Sequence, residues 1–293
     1  MDDTLVDRVR RFNRTVTQRV GALNDHYLAR DRPLGEARLL WEIGPAGCDV
    51  RMLRAQLDLD SGYLSRMLRS LEAHGLITIG ASRDDKRVRV ARLTQRGVKE
   101  RAVLDRRSDA LARSLLEPLS AKQRDRLVIA MGEVERLLTA ALVDIAVIDP
   151  AHRHARFCLH EYYAELNRRF DTGFDPTVTR AVDLDEVRAP NGLFLVATLR
   201  SEPVGCGALK FLGDERAEIK RMWVAARARG LGVGRRLLTD LEARAASNGS
   251  RVVRLDTNKA LVEAIAMYRS TGYVEVEAFN DEPYADHWFE KRL

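Results

Sequence analysis

The sequence predicts two domains of different fold class. Residues 1–142 suggest a mainly α-helical domain with a small β-hairpin, and residues 143–293 an α/β domain with a mixed, mostly antiparallel sheet. Two patterns lead to this division: apolar residues recur at helical spacing through the first half, whereas strand-like alternation dominates the second. A third observation is a glycine-rich turn between a strand and a helix at residues 217–238. With 293 residues, each half is long enough to bury a core of its own.

Composition narrows the class of protein further. Hydrophobic residues make up 45% of the chain and charged residues 31%, which is typical of a soluble globular protein. The charged first residues do not resemble a secretory signal, and no apolar stretch is long enough to span a membrane. The three cysteines lie far apart and have no zinc-binding spacing, so we expect free thiols, no metal site and a cytoplasmic location.

The positive charge is concentrated in the first half. Residues 1–147 carry 27 basic and 21 acidic side chains, whereas residues 148–293 carry 22 of each. Residues 61–96 alone hold eight basic and three acidic side chains. Such a cluster indicates a phosphate-bearing polymer as partner, although the solvated face of a basic protein would give the same composition.

The first half contains helices, a hairpin and two further helices in that order. Predicted helices cover 4–29, 34–43, 49–57 and 61–74, predicted strands 76–79 and 87–93, and two more helices 95–118 and 121–141. The helix over 61–74 begins after Asp60, a preferred N-cap residue, and ends at Gly75. Its apolar positions predict an inward face, which leaves small and basic residues outside. The apolar stripe of the 4–29 helix needs a partner.

This order of elements resembles the MarR family of transcriptional regulators. The resemblance covers about residues 4–143 and rests on the LSRMLRSLEAHGLI segment and on Asp85, Arg87, Leu93, Thr94 and Gly97 around the hairpin. It implies a winged helix-turn-helix that binds double-stranded DNA, and a homodimer built from the first and last two helices. The DNA-binding residues it implies are Ser61, Gly62, Tyr63, Ser65, Arg66, Arg69, Arg83, Arg87 and Arg89. A helix-turn-helix that only dimerises is the alternative.

Strands alternate with helices through the second half. A strand over 143–148 and a helix over 149–169 precede an irregular stretch, after which strands cover 193–199, 204–211 and 217–224. A helix to about residue 246, a strand over 251–256, a helix over 260–270 and a strand over 273–278 follow. The stretch 287–291 is expected to close the sheet.

The turn after the third of these strands favours an anion. Gly230, Gly232 and Gly234 allow backbone N–H groups to converge where a side chain would block the approach. The helix that follows directs the positive end of its dipole at the same place. Glycines also end strands for steric reasons, so the turn alone is a weak signal.

The second half resembles the GNAT superfamily of N-acetyltransferases over residues 143–293. Arg229, Gly232 and Gly234 match the family's cofactor motif, and Ala264, Tyr268, Gly272 and Tyr273 match its later signature. The resemblance implies a splayed sheet that binds acetyl-CoA. The cofactor-binding residues it implies are Met222, Trp223, Val224, Arg229, Gly230, Leu231, Gly232, Val233, Gly234, Arg235, Asn258 and Tyr268.

Two residues are catalytic candidates by the same resemblance. Tyr268 would protonate the leaving thiolate, and Glu218 would remove a proton from the amine. A strand carboxylate paired with a neighbouring arginine such as Arg221 is an equally good interpretation of Glu218. Arg168 and Arg169 could receive a carboxylate of the acceptor, which would favour an amino-acid-like amine, or could form a solvated helix face.

Together these observations predict a bifunctional protein: a DNA-binding regulator fused to an N-acetyltransferase of a small-molecule primary amine. The alternatives are a transcription factor that senses acetyl-CoA without turnover, a protein lysine acetyltransferase, and a metabolic enzyme whose helix-turn-helix only dimerises.

Overall fold

A computed structural model describes residues 3–24, 26–82, 85–176 and 184–293 of the chain. The chain divides into two compact units, residues 1–130 and 131–293. The boundary expected from the sequence, between residues 142 and 143, lies at the end of a helix whose last turns are grouped with the second unit. Arg136 in those turns donates to the carbonyl of Gly230 at 3.0 Å.

The first unit is mainly helical and contains a small three-stranded sheet. Its helices are α1 (Asp3–Arg19), α2 (Leu34–Ile43), α3 (Val50–Leu57), α4 (Ser61–Ala73), α5 (Gln95–Leu116) and α6 (Ala121–Ala141), the last of which continues into the second unit. Strands β1 (Cys48–Asp49), β2 (Ile77–Ala81) and β3 (Arg89–Leu93) form an antiparallel sheet of order β1-β3-β2. This is the predicted order of helices followed by a hairpin.

The first helix is shorter than the sequence suggests. A single helix over 4–29 is wrong, because α1 ends at Arg19 and Gly21 takes a left-handed φ of 69°. Further on, Arg30 donates to the carboxylate of Glu100 on α5 at 2.8 and 2.5 Å. Glu100 is buried, and this ion pair fixes the chain against α5 in a conformation that a continuing helix would not reach.

Helix α4 has the predicted inward face and caps. The Asp60 side chain accepts a hydrogen bond from the backbone N–H of Tyr63 at 2.8 Å. The four predicted core residues are all buried: Leu64, Met67, Leu68 and Leu71. Gly97 of the hairpin motif allows α5 to approach the backbone just before β2, since a β-carbon at Gly97 would overlap the carbonyl oxygen of Leu76.

The second unit is built around a seven-stranded sheet. Its strands are β4 (Val143–Val147), β5 (Gly192–Leu199), β6 (Glu202–Gly213), β7 (Arg216–Val224), β8 (Val252–Thr257), β9 (Val274–Val276) and β10 (His287–Arg292), in the order β4-β5-β6-β7-β8-β10-β9. Neighbouring strands pair antiparallel except β7 and β8, which are parallel. The expectation that the last strand closes the sheet is wrong: β10 lies between β8 and β9, so β9 forms the edge.

Helices cover both faces of this sheet. Helices α8 (Val233–Ser247) and α9 (Val262–Ser270) share one hydrophobic core with the sheet, whereas α7 (Arg153–Arg169) shares another with its opposite face. Helix α7 begins at Arg153, a few residues after the predicted start at Asp149-Pro150, because His152 caps it. Among the residues described, no helix combines the length and apolar composition needed to cross a bilayer.

Candidate active site and DNA interface

Strands β7 and β8 separate partway along their length. Their parallel pairing covers only three residue pairs and ends at Glu218 and Arg254, while β7 continues to Val224 and β8 to Thr257. On its other side β7 remains paired with β6 as far as Val224. The β7 backbone beyond Glu218 therefore has its β8-facing polar groups outside the sheet ladder, where a ligand can use them.

The separation coincides with a β-bulge at Arg221. The register between β6 and β7 shifts here, and Arg221 takes a left-handed φ of 57°. A non-glycine residue in this region is strained by about 1–2 kcal/mol, and such strain is concentrated at functional sites. The bulge turns the last residues of β7 away from β8.

The turn after β7 presents backbone donors at the start of α8. Gly230 and Gly232 have φ values of 77° and 76°, and a β-carbon added at either would meet open space. The first backbone N–H of α8 with an acceptor in its own helix is that of Arg236, which donates to the Gly232 carbonyl at 3.0 Å. The preceding amides, those of Val233 to Arg235, point out of the helix end. They form a site for an anion.

A cleft of about 480 Å³, called the larger cleft, adjoins this helix end. The predicted cofactor residues that line it are Met222, Trp223, Val224, Arg229, Gly230, Gly232, Val233, Gly234, Arg235 and Tyr268. Two predicted residues lie elsewhere. Leu231 packs against the hydrophobic core, and both ends of the Asn258 amide bond to backbone, donating to Tyr284 and accepting from Ala260. Asn258 thus holds a loop in place.

Glu165 on α7 organises the mouth of the larger cleft. Its carboxylate accepts from Arg229 at 2.5 Å and from the Trp223 indole at 3.0 Å. Sequence reasoning missed Glu165, and no local signal could have found it, because these partners are 64 and 58 positions away. Arg169, which was predicted to bind a carboxylate of the acceptor, instead forms an ion pair with Glu263 at 2.6 Å.

Tyr268 lies deep in the larger cleft. It is 4% exposed and packs against Tyr273 with ring centroids 5.7 Å apart. Burial raises the pKa of the Tyr268 phenol well above its usual value, and raises that of Tyr162 to about 12. Both phenols therefore remain protonated at neutral pH and can donate hydrogen bonds.

Glu218 does not face the larger cleft. Its buried carboxylate pairs with Lys220 at 2.6 Å and with Arg254 at 3.3 Å. The interpretation as a paired strand carboxylate fits this geometry, although the cations are these two and not Arg221. Because Glu218 lines neither of the clefts described here, its carboxylate is poorly placed to reach a substrate.

A second cleft of about 80 Å³, called the smaller cleft, shares several walls with the larger one. The shared residues are Tyr162, Leu166, Met222, Leu261, Ala264 and Tyr268. The charged groups in its lining are Lys220, Arg221, Asp256 and Glu282. Burial first, and then the neighbouring charge of Asp256, raise the pKa of the Glu282 carboxyl. Sequence reasoning had not singled out Glu282. In the part of the chain that the structure covers, no group of three or more metal-ligating side chains is placed to hold an ion.

The proposed DNA-contacting residues of α4 form one solvent-facing surface. Those that are exposed are Ser61, Gly62, Tyr63, Ser65, Arg66 and Arg69. The guanidinium of Arg66 lies over the Tyr63 ring at 5.8 Å. Arg87 and Arg89 in the hairpin are exposed as well, whereas Arg83 lies outside the described residues. A helix with small and basic outward side chains beside a basic hairpin can contact a DNA groove and its phosphates.

Comparison with known proteins gives matches in both units. The model of the Acetyltransferase (GNAT) family matches residues 159–273, and that of the MarR family matches residues 31–88. An IAA acetyltransferase of Azospirillum brasilense is 34% identical over 121 residues, which are 41% of this chain and 78% of that protein. The uncharacterized N-acetyltransferase YsnE of Bacillus subtilis (strain 168) is 32% identical over 108 residues, 36% of this chain and 72% of that protein. The crystal structure of an acetyltransferase of the GNAT family from Staphylococcus aureus Mu50 has a TM-score of 0.45 at 20% identity, covering 51% of this chain and 99% of that one.

Proposed function

Because the chain belongs to the GNAT acetyltransferase family and carries a MarR-family domain ahead of that part, we propose that it both regulates transcription and acetylates a small-molecule primary amine. The chain is an acyl-CoA N-acetyltransferase. The observation that carries the proposal is the free helix end of α8 beside the separated strand β7, since it offers an anion site next to unpaired backbone.

The larger cleft fits acetyl-CoA in chemistry and shape. The amides of Val233 to Arg235 suit the pyrophosphate, and the β7 backbone beyond its pairing with β8 suits the amide-rich pantetheine arm and the thioester carbonyl. When bound, acetyl-CoA supplies the acetyl group as a thioester, whose C–S bond is exchanged for a C–N bond to the amine. Donors held in a dry cleft can stabilise the oxyanion of such a transfer by about 3 kcal/mol.

Side chains that line this cleft are proposed to transfer the protons of the reaction. An ammonium acceptor gives up two protons in the reaction, one before attack and one to the departing thiolate. Tyr268 is the proposed donor to the thiolate, because its phenol remains protonated and lines both clefts. Glu218, by contrast, is proposed to fix Lys220 in place instead of acting as the base.

Turnover tests the acetyltransferase half of the proposal. Release of CoA thiol from acetyl-CoA with a panel of amines should fall at least tenfold in kcat in Tyr268→Phe, with little change in the KM for acetyl-CoA. Tyr273→Phe is the matched control, since that residue belongs to the same aromatic cluster without lining either cleft. Full kcat in Tyr268→Phe would remove the assigned role.

The first unit is proposed to bind double-stranded DNA through α4 and the hairpin, as a homodimer. Exposure of every described candidate residue on α4 supports the first point. Apolar residues that lack a buried environment support the second: α1 has no buried residue, and Val9 and Phe12 are 59% and 48% exposed. Analytical ultracentrifugation of the full chain should give twice the monomer mass, whereas a monomer at micromolar concentration would contradict dimerisation.

A second candidate is a transcription factor that senses acetyl-CoA. It is favoured by the occurrence of both domains in one chain, since a MarR-family domain precedes the part that matches the acetyltransferase family. In this alternative acetyl-CoA changes the affinity for DNA but no amine accelerates thiol release. A lysine peptide that is acetylated in place of free amines would instead indicate a protein acetyltransferase.

A further inference from the structure

The smaller cleft contains a cation, Arg221, that forms no ion pair with the described residues. Among the residues described, no carboxylate lies within ion-pair distance of Arg221, and its buried Nε atom has no hydrogen-bond acceptor. The guanidinium instead lies 6.0 Å from the ring centre of Tyr162 and 5.4 Å from that of Tyr163. A buried guanidinium Nε without an acceptor is costly unless a ligand supplies one.

Neighbouring cations are different, because each has a carboxylate. Lys220 contacts Glu218 at 2.6 Å and Asp256 at 3.5 Å. Arg169 pairs with Glu263, and Arg229 pairs with Glu165. The strained bulge also places Arg221 in the cleft at a cost in backbone energy, which a packing role alone would not require.

Glu282 provides the complementary charge in the same cleft. Glu282 forms no ion pair with the described residues. The pKa of its carboxyl is nevertheless affected by four neighbouring charges, those of Asp256, Lys220, Arg221 and Glu218. Its carboxylate can therefore accept hydrogen bonds from an ammonium group and take its first proton. A cation and an anion in one cleft, neither of them in an ion pair with a described residue, match a ligand that carries both charges.

Part of the remaining wall of the smaller cleft is aromatic. Phe174 contacts Phe170 and Tyr284 with ring centroids 5.9 and 5.0 Å apart, and Phe170 contacts Tyr284 at 5.7 Å. All three line the cleft. Such walls favour an apolar substituent on the ligand and offer it no further hydrogen-bond partner apart from the Tyr284 phenol.

We propose that the acceptor is an α-amino acid with an apolar side chain, with its carboxylate on Arg221, its amino group at Glu282 and its side chain against the aromatic walls. This inference rests on the proposed acetyltransferase function and names its substrate class. The amino group loses one proton to Glu282 and then attacks the acetyl carbon through its freed lone pair. As the C–N bond forms and the C–S bond breaks, the thiolate takes a proton from the Tyr268 phenol, which recovers the second proton from nitrogen. The products are an N-acetylamino acid, free thiol and the proton held by Glu282.

The test compares each amino acid with the amine that lacks its carboxylate. L-Leucine, L-methionine and L-phenylalanine are assayed against isoamylamine, 3-(methylthio)propylamine and 2-phenylethylamine by thiol release. We expect kcat/KM to be at least tenfold higher for the amino acid of at least one pair. In Arg221→Met the preference for the amino acid over its amine should disappear, and Arg221→Lys should restore part of it. Methionine has no added backbone strain at this φ, since both residues carry a β-carbon.

Arg251→Met is the matched control, because Arg251 is an exposed arginine of the same unit outside both clefts. Equal rates for amino acids and amines, unaffected by Arg221→Met, would overturn the substrate class and leave the acetyltransferase proposal intact. If no amine is turned over, the acetyltransferase proposal fails, and calorimetric titration with L-phenylalanine still decides the inference. Binding that is lost in Arg221→Met would support an amino-acid site, and no binding by the unaltered protein would refute it.

Discussion

Replacing Gly232 by alanine tests two properties of the turn before α8. Its left-handed backbone conformation affects the stability of the fold, and the open space at its α-carbon affects the binding of acetyl-CoA. Gly232 has φ 76° and ψ 9°, where an alanine costs about 1–2 kcal/mol. For a unit of this size each kcal/mol lowers Tm by about 2–4 °C. The new β-carbon meets no protein atom within 4 Å, and Gly232 itself lines the larger cleft, where the pyrophosphate is proposed to bind. Losing one hydrogen bond to a charged oxygen costs about 1.5–3 kcal/mol, which is roughly a tenfold to hundredfold rise in the KM for acetyl-CoA.

Gly249→Ala is the matched control for this experiment. Gly249 also has a positive φ, 87°, and open space at its β-carbon, but it follows the far end of α8 and lines neither cleft. Both variants should therefore lose similar thermal stability in a melting experiment. Only Gly232→Ala should raise the KM for acetyl-CoA in a thiol-release assay. An unchanged KM in Gly232→Ala, or equal changes in both variants, would refute the assignment of this turn to the pyrophosphate.

Three further predictions concern charge. The pKa of the Glu282 carboxyl is raised and its carboxylate form is the proposed base, so kcat/KM should rise as pH increases through that pKa. In Glu282→Gln this rise of kcat/KM with pH should be lost. A rise that persists in the variant would show that another group is the base. Arg30 lowers the pKa of Glu100, so this pair stabilises the first unit above pH ~4.5 and its contribution is lost as pH falls through the lowered pKa. Glu100→Gln should cost about 2 kcal/mol of unfolding free energy at pH 7 in denaturant titrations, while the exposed control Glu117→Gln changes little. Arg66→Ala should weaken DNA binding and reduce the slope of log affinity against log salt by about 1, measured by fluorescence anisotropy; an unchanged slope would exclude a phosphate contact.

The fold of both units was largely predictable, because it depends on local patterns. Helical spacing identified the four buried residues of α4, and Asp60 indicated where that helix begins. Errors occurred where a distant contact overrides the local pattern. The predicted first helix ends at Arg19, and the Arg30–Glu100 pair spans 70 positions, a separation that no periodicity reveals.

The candidate site was likewise predictable from the sequence only in part. The sequence by itself determined the glycine turn, since Gly232 needs a left-handed φ and the start of α8 supplies free N–H groups wherever that turn occurs. Tertiary structure alone decided the groups that surround it. The parallel strands separate beyond Glu218, a bulge directs Arg221 into the smaller cleft, and Glu165 reaches Arg229 from another helix. Backbone conformation is encoded over a few neighbouring residues, whereas the partner of a charged side chain depends on which elements the folded chain packs together.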